Sequence, residues 1–215
     1  MAAGKTVVGR ALAQRLGFKY LDTGVMYRAI TWLALERNVA IDDENALAAL
    51  AEAHPVRLES NDSDRVLVGG RSVGVELKES RVTGTVSLVA RISSVRRALV
   101  LQQRLLGSEG SIVMVGRDIG TVVLPNADLK IYLSASLELR ARRRWQEMVD
   151  QGQSVELQQV VEETRARDEM DSRRADSPLM PAPDAFLLDT GCLDVDQVID
   201  RIMGRIGDLS KPGGA

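Results

Sequence analysis

Ala2–Ala3–Gly4–Lys5–Thr6 decides the reading of this chain, because a helical run from Lys5 to Leu16 follows it without a gap. Gly-Lys-Thr at a helix start is the close of G-x-x-x-x-G-K-[ST], a loop whose backbone N–H groups cradle phosphates. The first glycine of that pattern would fall two residues before Met1. In such a loop Ala2, Ala3 and Gly4 contribute backbone, and Lys5 sets its ammonium on the β/γ oxygens of a triphosphate. The Thr6 hydroxyl is the expected ligand of Mg²⁺ bridging those oxygens.

Outward from the loop, Gly17 suits a helix stop and Phe18–Leu21 reads as a buried strand ending at Asp22–Thr23–Gly24. Met26 to Arg37 is helical, and Asp42 or Asp43 can cap a helix through Ala53. Val56–Glu59, Arg65–Val68 and Ser72–Val75 then read as short strands, split by Asn61–Asp62 and Gly69–Gly70 turns. This antiparallel patch interrupts an alternating α/β chain and is taken as an insertion. One helix is expected from Thr85 to Leu106, then a strand Ser111–Val115 ending at Gly116–Arg117–Asp118. A strand Leu129–Leu133 leads to Ser136, which can cap a charged helix to Asp150. Gly152 breaks it, a polar helix runs to Arg174, and Ala185–Leu188 is the last strand. Asp194 and Gln197 form a capping box for the final helix, and Ser210–Ala215 is expected to be a disordered tail.

Apolar strands alternating with helices predict an α/β fold with a mainly parallel sheet covered on both faces. Ligands of such sheets collect at the carboxyl ends of the strands. Asp22–Thr23 and Arg117–Asp118 fall there, on the same edge as the loop motif.

With 28 basic and 30 acidic side chains, the net charge of −2 argues against a nucleic-acid polymer or an anionic membrane as partner. Only 3% of residues are aromatic, too few for base stacking as a general theme. No apolar run reaches the ~18 residues of a membrane span. Cys192 is the single cysteine, so no internal disulfide forms and a cytoplasmic location is expected; the thiol reads as a small, semi-buried apolar group. His54, the single histidine, precedes Pro55 and is expected in a surface turn. Arg167, Asp171 and Arg174 lie at i, i+4 and i+7, which puts them on one helix face. Arg140 and Arg144 repeat that spacing one helix earlier, flanking Arg142 and Arg143.

The segments Tyr20–Leu–Asp–Thr–Gly–Val–Met–Tyr–Arg28, Gly116–Arg–Asp–Ile–Gly–Thr–Val–Val123 and Arg167–Asp–Glu–Met–Asp–Ser–Arg–Arg–Ala175 carry a family resemblance. Pro181–Ala–Pro–Asp–Ala185 and Leu188–Asp–Thr190 add to it. Over nearly its whole length the chain resembles the bacterial cytidylate kinases, nucleoside-monophosphate kinases of P-loop NTPase-like fold. Adenylate and shikimate kinases share the loop but not these blocks. The resemblance implies a core sheet, a monophosphate-binding insertion and a mobile, arginine-bearing lid. On it the core spans 1–48, the insertion 49–97, core again 98–139, the lid 140–167, and core with tail 168–215.

The implied reaction is transfer of the γ-phosphoryl group of ATP to CMP or dCMP, with Mg²⁺, by a monomer. Thr23, Tyr27 and Arg28 are then expected to line the acceptor site, with Arg28 on its phosphate. Ser87, Arg96 and Asp118 are expected on the cytosine edge, and Arg117 and Arg174 on the acceptor phosphate. Arg167 and Asp171 address the ribose, and Arg143 the transferring group. Two other readings stand beside this one: a kinase of another small acceptor, and an inactive remnant that at most binds nucleotide. The family pattern opens with an apolar strand and Asp-Gly-Pro ahead of the loop, and neither occurs in this sequence. The expectation is that the true start lies upstream of Met1, and that the neighbours of that strand are otherwise left with unpaired backbone groups.

Overall fold

Helix α1 (Lys5–Leu16) starts where Gly4 takes φ 83° and ends where Gly17 takes φ 66°. Both are left-handed conformations that a side chain disfavours, so two glycines fix its limits. The computed structural model describes residues 3–59, 65–172, 176 and 179–209. The chain continues through β1 (Lys19–Asp22), α2 (Thr23–Glu36) and α3 (Glu44–Ala53) to three short strands. These are β2 (Arg57–Leu58), β3 (Val66–Val68) and β4 (Arg71–Val73), an antiparallel sheet in the order β2-β3-β4. A 3₁₀ turn (Val75–Lys78), α4 (Ser80–Val89), α5 (Ser93–Ser108) and β5 (Ile112–Val115) follow. A π-helical turn (Ile119–Val123) then leads to β6 (Ile131–Ser134), α6 (Leu137–Asp150), α7 (Leu157–Ser172), β7 (Phe186–Asp189) and α8 (Val195–Leu209).

The single helix expected from Thr85 to Leu106 is two helices. Buried Ile92 takes an extended conformation (φ −72°, ψ 115°), which turns the chain between α4 and α5. The parallel sheet forms as two pairs rather than one sheet. β1 runs along β5 from Lys19↔Ile112 to Asp22↔Val115, and β6 along β7 from Ile131↔Phe186 to Ser134↔Asp189. Among the described residues β5 and β6 each pair on one side only. A cavity of about 750 Å³ is lined by both, with Val8 and Leu12 of α1 and Ile202 of α8 on its wall. The predicted tail, Ser210–Ala215, lies outside the described residues.

Two apolar clusters flank these strands. Met26, Ile30 and Leu33 of α2 pack with Leu47, Val66 and Leu99 in one. Val8 and Leu12 of α1 meet Leu188, Val198 and Ile202 in the other. The capping signals form as read. Ser136 accepts from the Leu139 amide at 3.2 Å. Gln197 Oε1 accepts from the Asp194 amide, and Asp194 Oδ1 accepts from the Gln197 amide at 2.8 Å. Gly152, at φ 77°, turns α6 back onto α7, and Trp145 Nε1 donates to the Val155 carbonyl across that turn at 2.9 Å. Among the described residues no helix is long and apolar enough to cross a membrane.

Candidate active site

Among the described residues no side chain caps α1, whose first amides have no partner within the helix itself. Gly9 allows that helix to lie against the sheet, since a Cβ there would stand 2.6 Å from Val115 Cγ1. Lys5 projects from the first turn into the cavity, together with Arg117 and Arg140. Its pKa is pushed below 10.5, first by burial and then by the charge of Arg117; Arg140 adds to the fall, and Asp22 and Asp168 oppose it. Three cations therefore meet two carboxylates around one helix start, an excess of positive charge that an anion could offset.

Asp22 closes β1 and serves two helices. Its Oδ1 accepts from the Gly24 amide at 2.9 Å, capping α2, and its Oδ2 accepts from the Thr6 hydroxyl at 3.2 Å. The Thr6 and Asp22 oxygens form a hard, oxygen-only pair at the positive end of α1. That chemistry fits Mg²⁺, which keeps several waters and takes few protein ligands. Among the described residues no group of three or more His, Cys, Asp or Glu could hold a metal alone.

The end of β5 divides the site. Arg117 lines the cavity with Lys5, while its neighbour Asp118 is buried and hydrogen-bonded to Arg96. Arg96 is itself buried, donates to the Ala90 carbonyl at 3.1 Å, and lies 5.5 Å over the Tyr27 ring. Thr23 is buried beside them and donates to the Val115 carbonyl at 3.0 Å. Gly116 makes that approach possible, because a Cβ there would stand 2.4 Å from Thr23 Oγ1. The π-helical turn is stapled from α5 by Arg104, which donates to the Val122 and Val123 carbonyls at 2.7 and 3.1 Å. Such turns concentrate at functional sites, because they re-aim side chains at a strand end.

A sequence profile of the family described as cytidylate kinase matches residues 1–208. The chain belongs to the cytidylate kinase family. It is similar to the cytidylate kinase of Desulfitobacterium hafniense (strain Y51), 44% identical over 211 residues, which covers 98% of this chain and 91% of that protein. With the cytidylate kinase of Listeria monocytogenes serovar 1/2a the identity is 46% over 202 residues, or 94% and 90% of the two chains. A bifunctional pantoate ligase/cytidylate kinase of Synechococcus sp. (strain JA-3-3Ab) is 45% identical over 217 residues, and the match takes up 40% of that longer protein. As a member of the cytidylate kinase family, the chain is an ATP-dependent nucleoside-monophosphate kinase, a phosphotransferase.

The structure brings several of the residues singled out in the sequence close together. Lys5 and Arg117 share one cavity, and Tyr27, Arg96 and Asp118 form one buried cluster. Arg28 folds over the start of α2, where a Cβ on Gly24 would lie 3.6 Å from its Nη1. Arg143 reaches back from α6 to Thr190, donating to its carbonyl at 2.9 Å and its hydroxyl at 3.3 Å. The Thr190 hydroxyl donates to the Ser134 carbonyl at 3.0 Å and lies 3.4 Å from the Ala3 carbonyl, so Arg143 adjoins the loop through the residue that follows β7. Ser87 is half-buried on α4. Arg167 is half-buried on α7. Ala2, Arg174 and the Asp171 side chain lie outside the described residues.

Cys192 is exposed rather than semi-buried, because it sits in the turn after β7 and not on a packed face. His54 meets Arg37 at the end of α3. Asp22, Arg140, Asp168 and Thr190 carried no assignment from the sequence. Asp22 was legible as an N-cap ahead of Thr-Gly. The other three act through contacts between distant segments, which no local signal records.

Proposed function

We propose that this kinase transfers the γ-phosphoryl group of ATP to CMP or dCMP, giving ADP and CDP or dCDP. The carrying observation is the divergence of two adjacent residues: Arg117 faces the Lys5 cavity, and Asp118 faces the Arg96–Tyr27 cluster. A triphosphate on α1 and a base beside Asp118 then place two phosphates on either side of Arg117. Lys5 and the first amides of α1 hold the β/γ oxygens, and Arg143 joins them from the lid. Arg117, Arg28 and Arg174 hold the acceptor phosphate, and Arg167 and Asp171 the ribose. Thr6 and Asp22 would hold Mg²⁺, which would supply neutralisation of phosphate charge.

The Asp118 carboxylate accepts from the exocyclic amine of cytosine, and Arg96 and Ser87 donate to its remaining edge. Uracil presents a carbonyl where cytosine has that amine, so the same pocket sets one acceptor against another and rejects UMP. An oxygen of the acceptor phosphate bonds to the γ phosphorus as the bond to the β–γ bridging oxygen breaks. No general base is needed, since the attacking group is already anionic, and catalysis rests on positioning and charge. Segments 49–97 and 140–167 serve as acceptor-binding insertion and lid of a monomer, and the lid excludes water that would otherwise hydrolyse ATP.

An assay of ADP release with CMP, dCMP, UMP, AMP and shikimate as acceptors tests the reading. CMP and dCMP are expected to support turnover well above the rest. Faster turnover with AMP or shikimate would assign the acceptor site to another substrate.

A further inference from the structure

The pair Arg140–Asp168 joins α6 to α7 inside the site, and the motifs gave it no role. Arg140 lies in the first turn of α6. Its Nε donates to the Ala135 carbonyl at 2.9 Å and its Nη1 to the Asp168 carboxylate. The two side chains keep only 15% and 24% of their exposure, and both line the cavity that holds Lys5 and Arg117. A surface ion pair would be worth little. This one sits where two other cations already crowd, and the charge of Arg140 is felt at Lys5. Adding a third cation to such a group is unfavourable until an anion binds between them.

We infer that Arg140 is a third cation gripping the triphosphate, beside Lys5 and Arg117, and that Asp168 is the residue that positions it. The inference rests on the phosphate site of the proposed function, not on the identity of the acceptor. The Ala135 carbonyl fixes the root of the guanidinium, and Asp168 fixes one edge of its fork. The planar fork thereby presents its remaining N–H donors in one direction, which a lysine could not do. Burial and the Arg140 hydrogen bond act oppositely on the Asp168 carboxyl, and its pKa lies below the usual 3.8. Asp168 therefore stays ionised at neutral pH and keeps its hold. Because Asp168 follows Arg167 on α7, the same helix turn reaches from the triphosphate toward the acceptor ribose.

Calorimetric titration of the full chain with Mg·ATP, together with turnover on CMP, tests this in Arg140→Ala, Asp168→Asn and the double variant. Arg140→Ala is expected to weaken ATP binding about 10- to 100-fold, the range of a charged hydrogen bond lost from a phosphate. Asp168→Asn is expected to weaken it about 5- to 10-fold, with the KM for CMP held within about twofold. The double variant is expected to bind no worse than Arg140→Ala alone, because a positioning residue has nothing left to position. Arg140→Lys, which keeps the charge and loses the fork, should recover part of the loss and serves if the alanine variant fails to fold. An unchanged ATP affinity in a folded Arg140 variant overturns the inference, as do additive losses in the double variant. If the parent chain binds ATP and does not phosphorylate CMP, the proposed acceptor fails and the inference stands. If it does not bind ATP, both fail.

Discussion

Replacing Asp118 by alanine leaves Arg96 buried without its carboxylate. Arg96 retains the Ala90 carbonyl at 3.1 Å and the Tyr27 ring at 5.5 Å, but neither is charged. Both partners are almost wholly buried, at 5% and 6% exposure, so water cannot take over the lost role. Stranding one member of such a pair costs about 3–5 kcal/mol. That is a large share of a typical stability of about 5–15 kcal/mol. For a chain of this size each kcal/mol lowers the melting temperature by about 2–4 °C, so the expected fall is roughly 6–20 °C. Melting curves with and without CMP provide the assay, and CMP is expected to protect the parent and not the variant. A folded Asp118→Ala protein that melts within about 2 °C of the parent would refute the reasoning, because the pair would then be solvated or redundant.

Other outcomes follow from single contacts. Gly116→Ala puts a methyl group 2.4 Å from Thr23 Oγ1. It is expected to destabilise by about 1–3 kcal/mol in denaturant titration and to raise the KM for CMP. Lys5 carries a lowered pKa from burial and from Arg117, so between that pKa and 10.5 the unfolded chain binds more protons than the folded one. Stability of the nucleotide-free protein should therefore gain from Lys5 as pH rises through that window, and Lys5→Met should remove this contribution in urea melts at stepped pH. Thr6→Val and Asp22→Asn each remove one oxygen of the 3.2 Å pair. Both are expected to raise the Mg²⁺ concentration needed for half-maximal ADP release, with fold confirmed by circular dichroism.

How much could be read in advance differs by element. α1 was legible because two glycines and an apolar stripe mark it locally, and the capping box of α8 was legible for the same reason. The break between α4 and α5 was not, since Ile92 is apolar and fits a helical stripe as well as a buried turn. Unpaired backbone groups in the parallel sheet were expected from the sequence, but which strand pairs with which was not, because pairing is a relation between segments. Within the site, Lys5, Thr6, Arg117 and Asp118 lie in contiguous motifs. Arg140–Asp168 and Arg143–Thr190 join residues far apart in the chain, and only packing brings them together.

The amino-acid order by itself pointed to the reaction class, since a glycine–lysine–threonine at a helix start offers backbone amides and one ammonium to a phosphate within a single turn, and the blocks downstream agree with it. It also settled the family, through ordered blocks whose spacing chance does not repeat. Only the folded molecule decided which way each charge faces. Arg117 and Asp118 are neighbours in the chain, yet one lines the cavity and the other is bonded to buried Arg96, because successive side chains leaving a strand end point apart. Electrostatic energy depends on distance and burial, and both are set by the packing of α1, α6 and α7 around that edge rather than by position along the chain.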